Sequence, residues 1–251
     1  MRMLGSVAVL IPALVALRQP LLPLRGERIG LVWVGQLQVS GFLVCGILGL
    51  AIVPPGRAIV LAYTMPLWAI PIGLWLAPEQ LSRNKKLGAA VGFAGLLLFM
   101  NPSLLDWRDP RVLLGNALLL LAAMLWAAGS CFYRGRLWRS PFWAQTLCQL
   151  AFGTVTVVVI AFAFAPEWSV EWTPGLVAIL AYNWVVTTAL GYFLWNKVLA
   201  VLPAAVAGQV LTLTPIVGFL LSTAMFGGAI TLDMAASIAL IVAGLAVTLR
   251  G

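Results

Sequence analysis

The charged residues of this chain fall in short clusters, and long uncharged apolar stretches separate the clusters. The hydrocarbon core of a bilayer is about 30 Å thick and an α-helix rises about 1.5 Å per residue, so about 20 apolar residues can cross it. Uncharged stretches of at least that length lie at 29–56, 58–78, 112–133, 172–196 and 198–232. The sequence therefore predicts a protein that crosses a membrane several times.

The composition excludes several other classes of protein. Hydrophobic residues make up 63% of the chain and charged residues 9%, whereas a soluble domain carries about 25% charge. The net charge of +8 is spread between apolar stretches, without a block of five like charges, so it indicates topology rather than nucleic-acid binding. The lack of histidine and the isolation of Cys45, Cys131 and Cys148 argue against a metal site, a disulfide or His-dependent catalysis. No feature calls for a cofactor.

Charge clusters, Pro and Gly clusters and polar turns divide the chain into nine predicted spans. These are 3–18, 29–52, 57–77, 85–102, 112–134, 142–165, 174–200, 203–226 and 232–250. Helices are required because open strands would leave backbone groups unpaired in lipid. The predicted fold class is all-α, a polytopic membrane bundle of nine helices.

Lys and Arg in the loops predict the orientation of the spans, because cytoplasmic loops carry an excess of both. One side collects eleven, namely Arg18, Arg25, Arg28, Arg83, Lys85, Lys86, Arg134, Arg136, Arg139, Lys197 and Arg250. The opposite side has four, namely Arg2, Arg57, Arg108 and Arg111. We therefore expect a multi-pass protein of the inner (plasma) membrane with a cytoplasmic carboxyl terminus.

The two halves of the chain resemble each other weakly when one is shifted by 149 residues. The shift places Pro54 on Pro203, Ala58 on Ala207, Pro66 on Pro215, Ala90 on Ala239, Ala94 on Ala243, Gly95 on Gly244 and Leu96 on Leu245. Each half thus has one proline entering a helix, a second in its middle and a small-residue pair in the next helix. We predict two inverted repeats, 1–104 with four helices and 111–251 with five.

The mid-helix prolines, Pro66 and Pro215, predict two interrupted helices. A proline inside a helix removes one backbone hydrogen bond and frees the carbonyl four residues earlier, here those of Ala62 and Leu211. Interruptions at corresponding positions of two halves indicate a transport site. The alternative is that both prolines only bend two packing helices.

The same shift leaves the span 112–134 without a counterpart in the first half. Matching helices must be separated by five positions if one half is to be inverted against the other. We therefore expect a ten-helix protein whose first helix is missing here, through a late start codon or truncation. A genuine nine-helix variant is the alternative.

Several stretches resemble the EamA repeat of the drug/metabolite transporter superfamily. In the first half they are Ala58-Ile-Val-Leu-Ala-Tyr-Thr-Met-Pro-Leu-Trp-Ala, Ala77-Pro-Glu-Gln-Leu-Ser and Leu87-Gly-Ala-Ala-Val-Gly-Phe-Ala-Gly, and in the second Gly115-Asn-Ala-Leu, Tyr192-Phe-Leu-Trp-Asn-Lys, Leu211-Thr-Leu-Thr-Pro and Ala243-Gly-Leu. The resemblance implies two inverted five-helix repeats that move small metabolites. The chain departs from the pattern in its first helix and at Gly228, which stands where the first half has Glu79.

The resemblance also implies a central cavity between the spans 29–52, 57–77, 174–200 and 203–226. The substrate-binding candidates are Tyr63, Thr64 and Trp68 beside one kink, Gln209, Thr212 and Thr214 beside the other, and then Trp33, Gln36, Tyr182 and Thr187. Each of these polar groups could instead pair with a neighbouring helix. For the tryptophans within spans, among them Trp126, sequence alone does not choose between lipid, helix and cavity.

We expect a transporter that exports amino acids or related amphipathic compounds by alternating access. No acid or base is predicted deep in a span, which favours a uniporter or exchanger over a proton-driven pump. The alternatives are an inactive remnant, a non-transporting membrane subunit or, least favoured, a membrane enzyme. The expected partners are a small-molecule substrate, the bilayer and a second copy of the chain.

Overall fold

A computed structural model describes residues 1–53, 58, 61–76, 82–100, 109–164, 170–226 and 232–250. The helices are α1 Arg2–Ala16, α2 Arg25–Leu50, α3 Met65–Leu76, α4 Arg83–Met100, α5 Pro110–Arg134, α6 Phe142–Phe164, α7 Pro174–Val201, α8 Ala204–Leu211, α9 Leu213–Phe226 and α10 Leu232–Leu249. The described residues contain no strand. The prediction of an all-α membrane bundle is confirmed, and the helix ends lie within a few residues of the predicted spans.

Five of these helices are long and apolar enough to cross a membrane, namely α2, α5, α6, α7 and α10. Their outer surfaces expose large apolar side chains such as Val155, Phe162 and Phe164. An exposed apolar surface of this extent is stable against lipid rather than against water.

The predicted repeat boundary stays a prediction, and its linker, together with Glu79 and Gly228, lies outside the described residues.

Two of the long helices begin at a proline that follows a capping side chain. The Asp109 carboxylate accepts a hydrogen bond from Arg111 N at 2.8 Å, and Thr173 Oγ1 accepts one from Leu176 N at 3.2 Å. Such a side chain satisfies a backbone donor that has no partner inside the helix, and a proline at the first helical position needs none. These local signals fix where α5 and α7 start.

The first turn of α2 contacts the connection between α5 and α6. Glu27 accepts hydrogen bonds from the backbone N–H groups of Arg139 at 2.6 Å and Ser140 at 3.1 Å. Four predicted spans lie between Glu27 and Arg139, so the two contacting segments must lie on the same side of the membrane. The contact therefore agrees with the alternation on which the predicted orientation depends.

The main apolar core lies where α2, α3, α5, α7 and α8 meet. Its buried residues include Leu31, Val34, Met65, Ala69, Ala123, Ala127, Trp195, Leu199 and Ala204. The most intimate pair of helices is α4 and α10, which pack antiparallel through glycines. A Cβ atom added at Gly244 would lie 2.4 Å from Gly92 N and 2.6 Å from Gly88 O. The small residues predicted in these two helices thus allow their backbones to touch.

Candidate functional site

The helices α2 and α7 each contain a widened π-helical segment, Gln36–Gly41 in α2 and Asn183–Leu190 in α7. The 149-residue shift places 36–41 on 185–190, so the segments correspond. In each, a hydroxyl bonds back by one turn, Ser40 Oγ to Gln36 O at 2.9 Å and Thr187 Oγ1 to Asn183 O at 3.1 Å. Such side-chain bonds compete with the backbone hydrogen bonds of the helix and often bend it. Segments of π-helix are frequent at functional sites.

The two predicted interruptions occur just before the prolines. Thr64 donates from both N and Oγ1 to Leu61 O, at 3.2 and 2.6 Å, and Thr212 does the same to Gln209 O, at 3.1 and 2.6 Å. These tight turns separate α3 from the preceding helical residues and α9 from α8. The matched geometry gives each half of the protein a joint, which is a break in the helix near the middle of a span.

A cavity of about 360 Å³ lies between the two interrupted helices, α1 and the middles of α2 and α7. Its lining is largely apolar and comes from both halves of the chain. The lining residues are Arg2, Met3, Phe42, Leu43, Ala62, Tyr63, Met65, Pro66, Trp126, Thr187, Gly191, Tyr192, Trp195, Gly208 and Leu211. Both residues whose carbonyls lose a donor to proline, Ala62 and Leu211, are among them.

One wall of the cavity is aromatic and is centred on Trp126. The centroid of its ring lies 4.8 Å from that of Phe42, 5.6 Å from that of Tyr192 and 5.9 Å from that of Trp195. The Tyr192 hydroxyl donates to the backbone oxygen of Gln38 at 3.1 Å, which joins the middles of α7 and α2. The aromatic wall is therefore held by ring packing and by a hydrogen bond between the two halves of the chain.

A family model described as the EamA-like transporter family matches residues 1–101 and 113–250. The chain belongs to this family. A solved crystal structure superposes on 99% of this EamA-like protein and on 86% of its own chain, with a TM-score of 0.82 at 22% identity. That likeness shows a shared fold, and the family places the protein in the membrane as a transporter.

Three curated relatives illustrate what this EamA-like transporter is similar to. An uncharacterized transporter of Bacillus subtilis, YoaV, is 27% identical over 78% of this chain and 67% of its own. A probable amino-acid metabolite efflux pump of Salmonella typhimurium is 25% identical over 79% and 68%, respectively. An uncharacterized transporter of Acidianus ambivalens is 28% identical over 60% and 56%. The matched segments thus span between about half and two thirds of these relatives.

The cavity contains one charged side chain that the sequence analysis placed in a loop. Arg2 lines the cavity, and its Nε donates to Thr188 Oγ1 at 3.1 Å. Thr188 lies halfway along the 28 residues of α7. The long arginine side chain thus extends from the first turn of α1 to the middle of α7 and brings a positive charge to the cavity. The expectation that no acid or base lies deep in a span stays a prediction.

The structure brings two of the ten candidate residues, Tyr63 and Thr187, to the cavity lining, together with Pro66. Thr64 and Thr212 are buried and form the two turns, and Thr64 Oγ1 also accepts a hydrogen bond from Trp68 Nε1 at 3.1 Å. The side chain of Thr214, two residues after the second turn, is exposed. Most residues near the kinks thus shape the joints of the EamA-like fold instead of lining the cavity.

The remaining candidates on α2 and α7 lie away from the cavity lining. Trp33 and Tyr182 are each 58% exposed on the outer surface. Gln36 Nε2 donates to the backbone oxygen of Phe152 on α6 at 3.1 Å. The predicted substrate-binding residues did not include Phe42, Trp126, Tyr192 or Trp195, which line the cavity. Two of these four lie in the stretch Tyr192-Phe-Leu-Trp, which resembles the EamA repeat. Apolar residues that line a cavity cannot be told from packing residues in a sequence that is 63% hydrophobic.

Gln209 joins three helices and lies outside the cavity lining. Its Nε2 donates to Gly88 O on α4 at 2.8 Å, and its Oε1 accepts a hydrogen bond from Thr248 Oγ1 on α10 at 2.6 Å. The side chain is 2% exposed. Both ends of the amide are therefore satisfied within the bundle, which assigns Gln209 to helix packing.

We expect Gln209→Leu to destabilise the bundle by about 1 kcal/mol, because interhelical hydrogen bonds in membranes average about 0.6 kcal/mol each. The measurement is the thermal unfolding midpoint of the protein in detergent. Val210→Leu, which introduces leucine at an exposed position of the same helix, is the control and should leave the midpoint unchanged. Equal midpoints for both variants would contradict the packing role.

Proposed function

We propose that this EamA-like transporter moves small amphipathic metabolites, such as amino acids and related compounds, out of the cell by alternating access. The observation that carries the proposal is the cavity of about 360 Å³ that residues of both halves line. A site of 300–1,000 Å³ with apolar and aromatic walls and few polar groups suits a small organic molecule. Export is supported by the name of the Salmonella relative, a probable amino-acid metabolite efflux pump.

The two joints support alternating access. Each half has a turn within a span, at Thr64 and at Thr212, and each has a widened segment in the neighbouring helix. In transporters built from inverted repeats, one half rocks or bends against the other around a site near the midplane. The turns offer hinge points on both sides of the cavity, where backbone hydrogen bonding is already reduced.

We further propose that the protein lies in the inner (plasma) membrane with its carboxyl terminus in the cytoplasm, as the distribution of Lys and Arg suggests. A uniporter or exchanger mechanism is supported by the lining, because no Asp or Glu occurs among the lining residues that the structure describes. Proton-driven carriers usually need an intramembrane carboxylate or histidine. A transport cycle of this kind requires no catalytic residue.

A side chain placed in the cavity should block transport. Gly191 lines the cavity, and a Cβ atom there meets only Val186 O at 3.7 Å, so the rest of a leucine side chain would occupy the cavity. We expect Gly191→Leu to lower transport of an amino-acid panel in proteoliposomes at least about tenfold, because the side chain takes space that the substrate needs and each 1.4 kcal/mol of lost binding is about tenfold in affinity.

Gly175→Leu is the matched control, because Gly175 lies on the same helix and a Cβ atom there has only Thr173 Oγ1 near it, at 4.0 Å. This variant should transport like the wild type. Equal transport by Gly191→Leu and Gly175→Leu would refute the proposed cavity. Absence of flux for every compound with the wild-type protein would refute the proposed substrate class and favour a remnant or a non-transporting subunit.

A further inference from the structure

The guanidinium of Arg2 lies level with the middle of α7, beside the cavity proposed for the substrate. Its Nε donates to Thr188 Oγ1 at 3.1 Å, and Thr188 is the midpoint of α7. Arg2 also lines the cavity, opposite residues of the aromatic wall such as Trp126 and Tyr192. A charged side chain at this depth is costly and marks substrate or ion pathways when it occurs.

The guanidinium has unused hydrogen-bonding capacity, and the Arg2 side chain that lines the cavity is exposed. It carries five N–H donors and cannot lose its charge. Within the described part of the chain, its hydrogen bond goes to the Thr188 hydroxyl, and no carboxylate forms an ion pair with it. Because Thr188 accepts from Nε, the two terminal nitrogens stay available as a parallel pair of donors. This fork matches the two oxygens of a carboxylate.

We infer that Arg2 binds the carboxylate of the transported molecule, while Phe42, Trp126 and Trp195 hold its apolar part. Thr188 is a positioning residue that fixes the guanidinium through Nε. The substrate class is accordingly a monocarboxylate that carries a compact apolar or aromatic group. The inference rests on the proposed function and narrows it, because the apolar lining alone would accept a neutral or cationic amphipath equally well.

Three probes with one skeleton test the charge preference: 3-phenylpropionate, its neutral isostere 3-phenylpropionamide, and the cationic 3-phenylpropylamine. Binding to the purified full-length protein in detergent is measured by isothermal titration calorimetry at pH 7. We expect the carboxylate to bind at least about tenfold more tightly than the amide, because charge-assisted bidentate bonds are about twice as strong as neutral ones. The amine should bind most weakly.

Variants then assign the preference to Arg2. Arg2→Gln should bind carboxylate and amide alike, Arg2→Lys should retain part of the preference, and Thr188→Val should reduce it. Arg25→Gln removes an exposed arginine from the first turn of α2 and is the matched control, which should behave like the wild type. If Arg2→Gln does not fold, Arg2→Lys and the wild-type ranking of the probes still decide the question.

The inference would be overturned by a wild-type protein that binds the carboxylate no better than the amide, or by a preference that survives Arg2→Gln. Binding of none of the probes would also overturn it, for the substrate class stated. The proposed function is judged separately by flux in proteoliposomes. If the protein transports uncharged or cationic compounds and Gly191→Leu blocks this transport, the proposed function stands and only the role of Arg2 is refuted.

Discussion

Replacing Trp126 with alanine is expected to destabilise the bundle by about 3 kcal/mol and to abolish specific binding in the cavity. Large-to-small substitutions of buried aromatic residues cost about 3–5 kcal/mol in water-soluble proteins. The lower value applies here, because unfolded helices in a bilayer keep their side chains in apolar surroundings and only packing is lost. Trp126 packs against both of the largest core clusters and touches Phe42, Tyr192 and Trp195.

Trp75→Ala provides the matched control, because Trp75 is 91% exposed on the outer surface. The measurement is reversible unfolding in mixed detergent and SDS, followed by circular dichroism. The Trp126 variant should unfold at a distinctly lower SDS fraction, while the Trp75 variant should remain close to the wild type. Similar unfolding midpoints for the two variants would mean that the aromatic wall does not hold the bundle together.

Gly244→Ala is expected to separate α4 from α10 and to destabilise the protein by about 1–3 kcal/mol, the usual cost of overpacking. The added methyl group would lie 2.4 Å from Gly92 N, 2.6 Å from Gly88 O and 2.7 Å from Gly92 Cα. All three atoms belong to the backbone of α4, so no side-chain rotation can relieve the clash. The two helices must move apart, which also strains the hydrogen bonds of Gln209 to both.

Gly46→Ala makes the same chemical change in α2, where a Cβ atom meets nothing within 4 Å. Alanine is favoured over glycine in a helix by up to about 1 kcal/mol, so this variant should be as stable as the wild type or more so. Thermal unfolding midpoints in detergent, measured side by side, test the contrast. A Gly244→Ala protein as stable as Gly46→Ala would show that the helices do not pack as closely as described.

The number and ends of the spans follow closely from the sequence. Uncharged runs of membrane length, the caps Asp109 and Thr173 before Pro110 and Pro174, and charge clusters between runs are all local signals, and lipid allows helices alone to satisfy the backbone. The prolines at 66 and 215 likewise located the two interruptions within a few residues. The π segments of α2 and α7 were not predicted, because no residue type specifies them.

The site was predicted less well than the fold, for a physical reason. Most of the predicted substrate-binding residues are polar, yet Gln209, Thr64 and Thr212 satisfy their polar groups within the bundle. The cavity is instead lined mainly by apolar and aromatic side chains, which are indistinguishable from packing residues in a chain of 63% hydrophobic residues. Tyr63 and Thr187, which combine a polar group with a place beside a turn or π segment, reach the lining.

The sequence by itself determined that the chain is a helical membrane bundle, how its spans alternate and where two of them are interrupted, because these depend on local composition and on the chemistry of proline. Only the tertiary structure decided which faces of the helices meet. It placed Trp126 at the centre of the cavity wall, Gln209 between three helices and the Arg2 guanidinium at the cavity beside Thr188. These positions depend on helix rotation and on the reach of single side chains, and neither property is encoded in the length or hydropathy of a span.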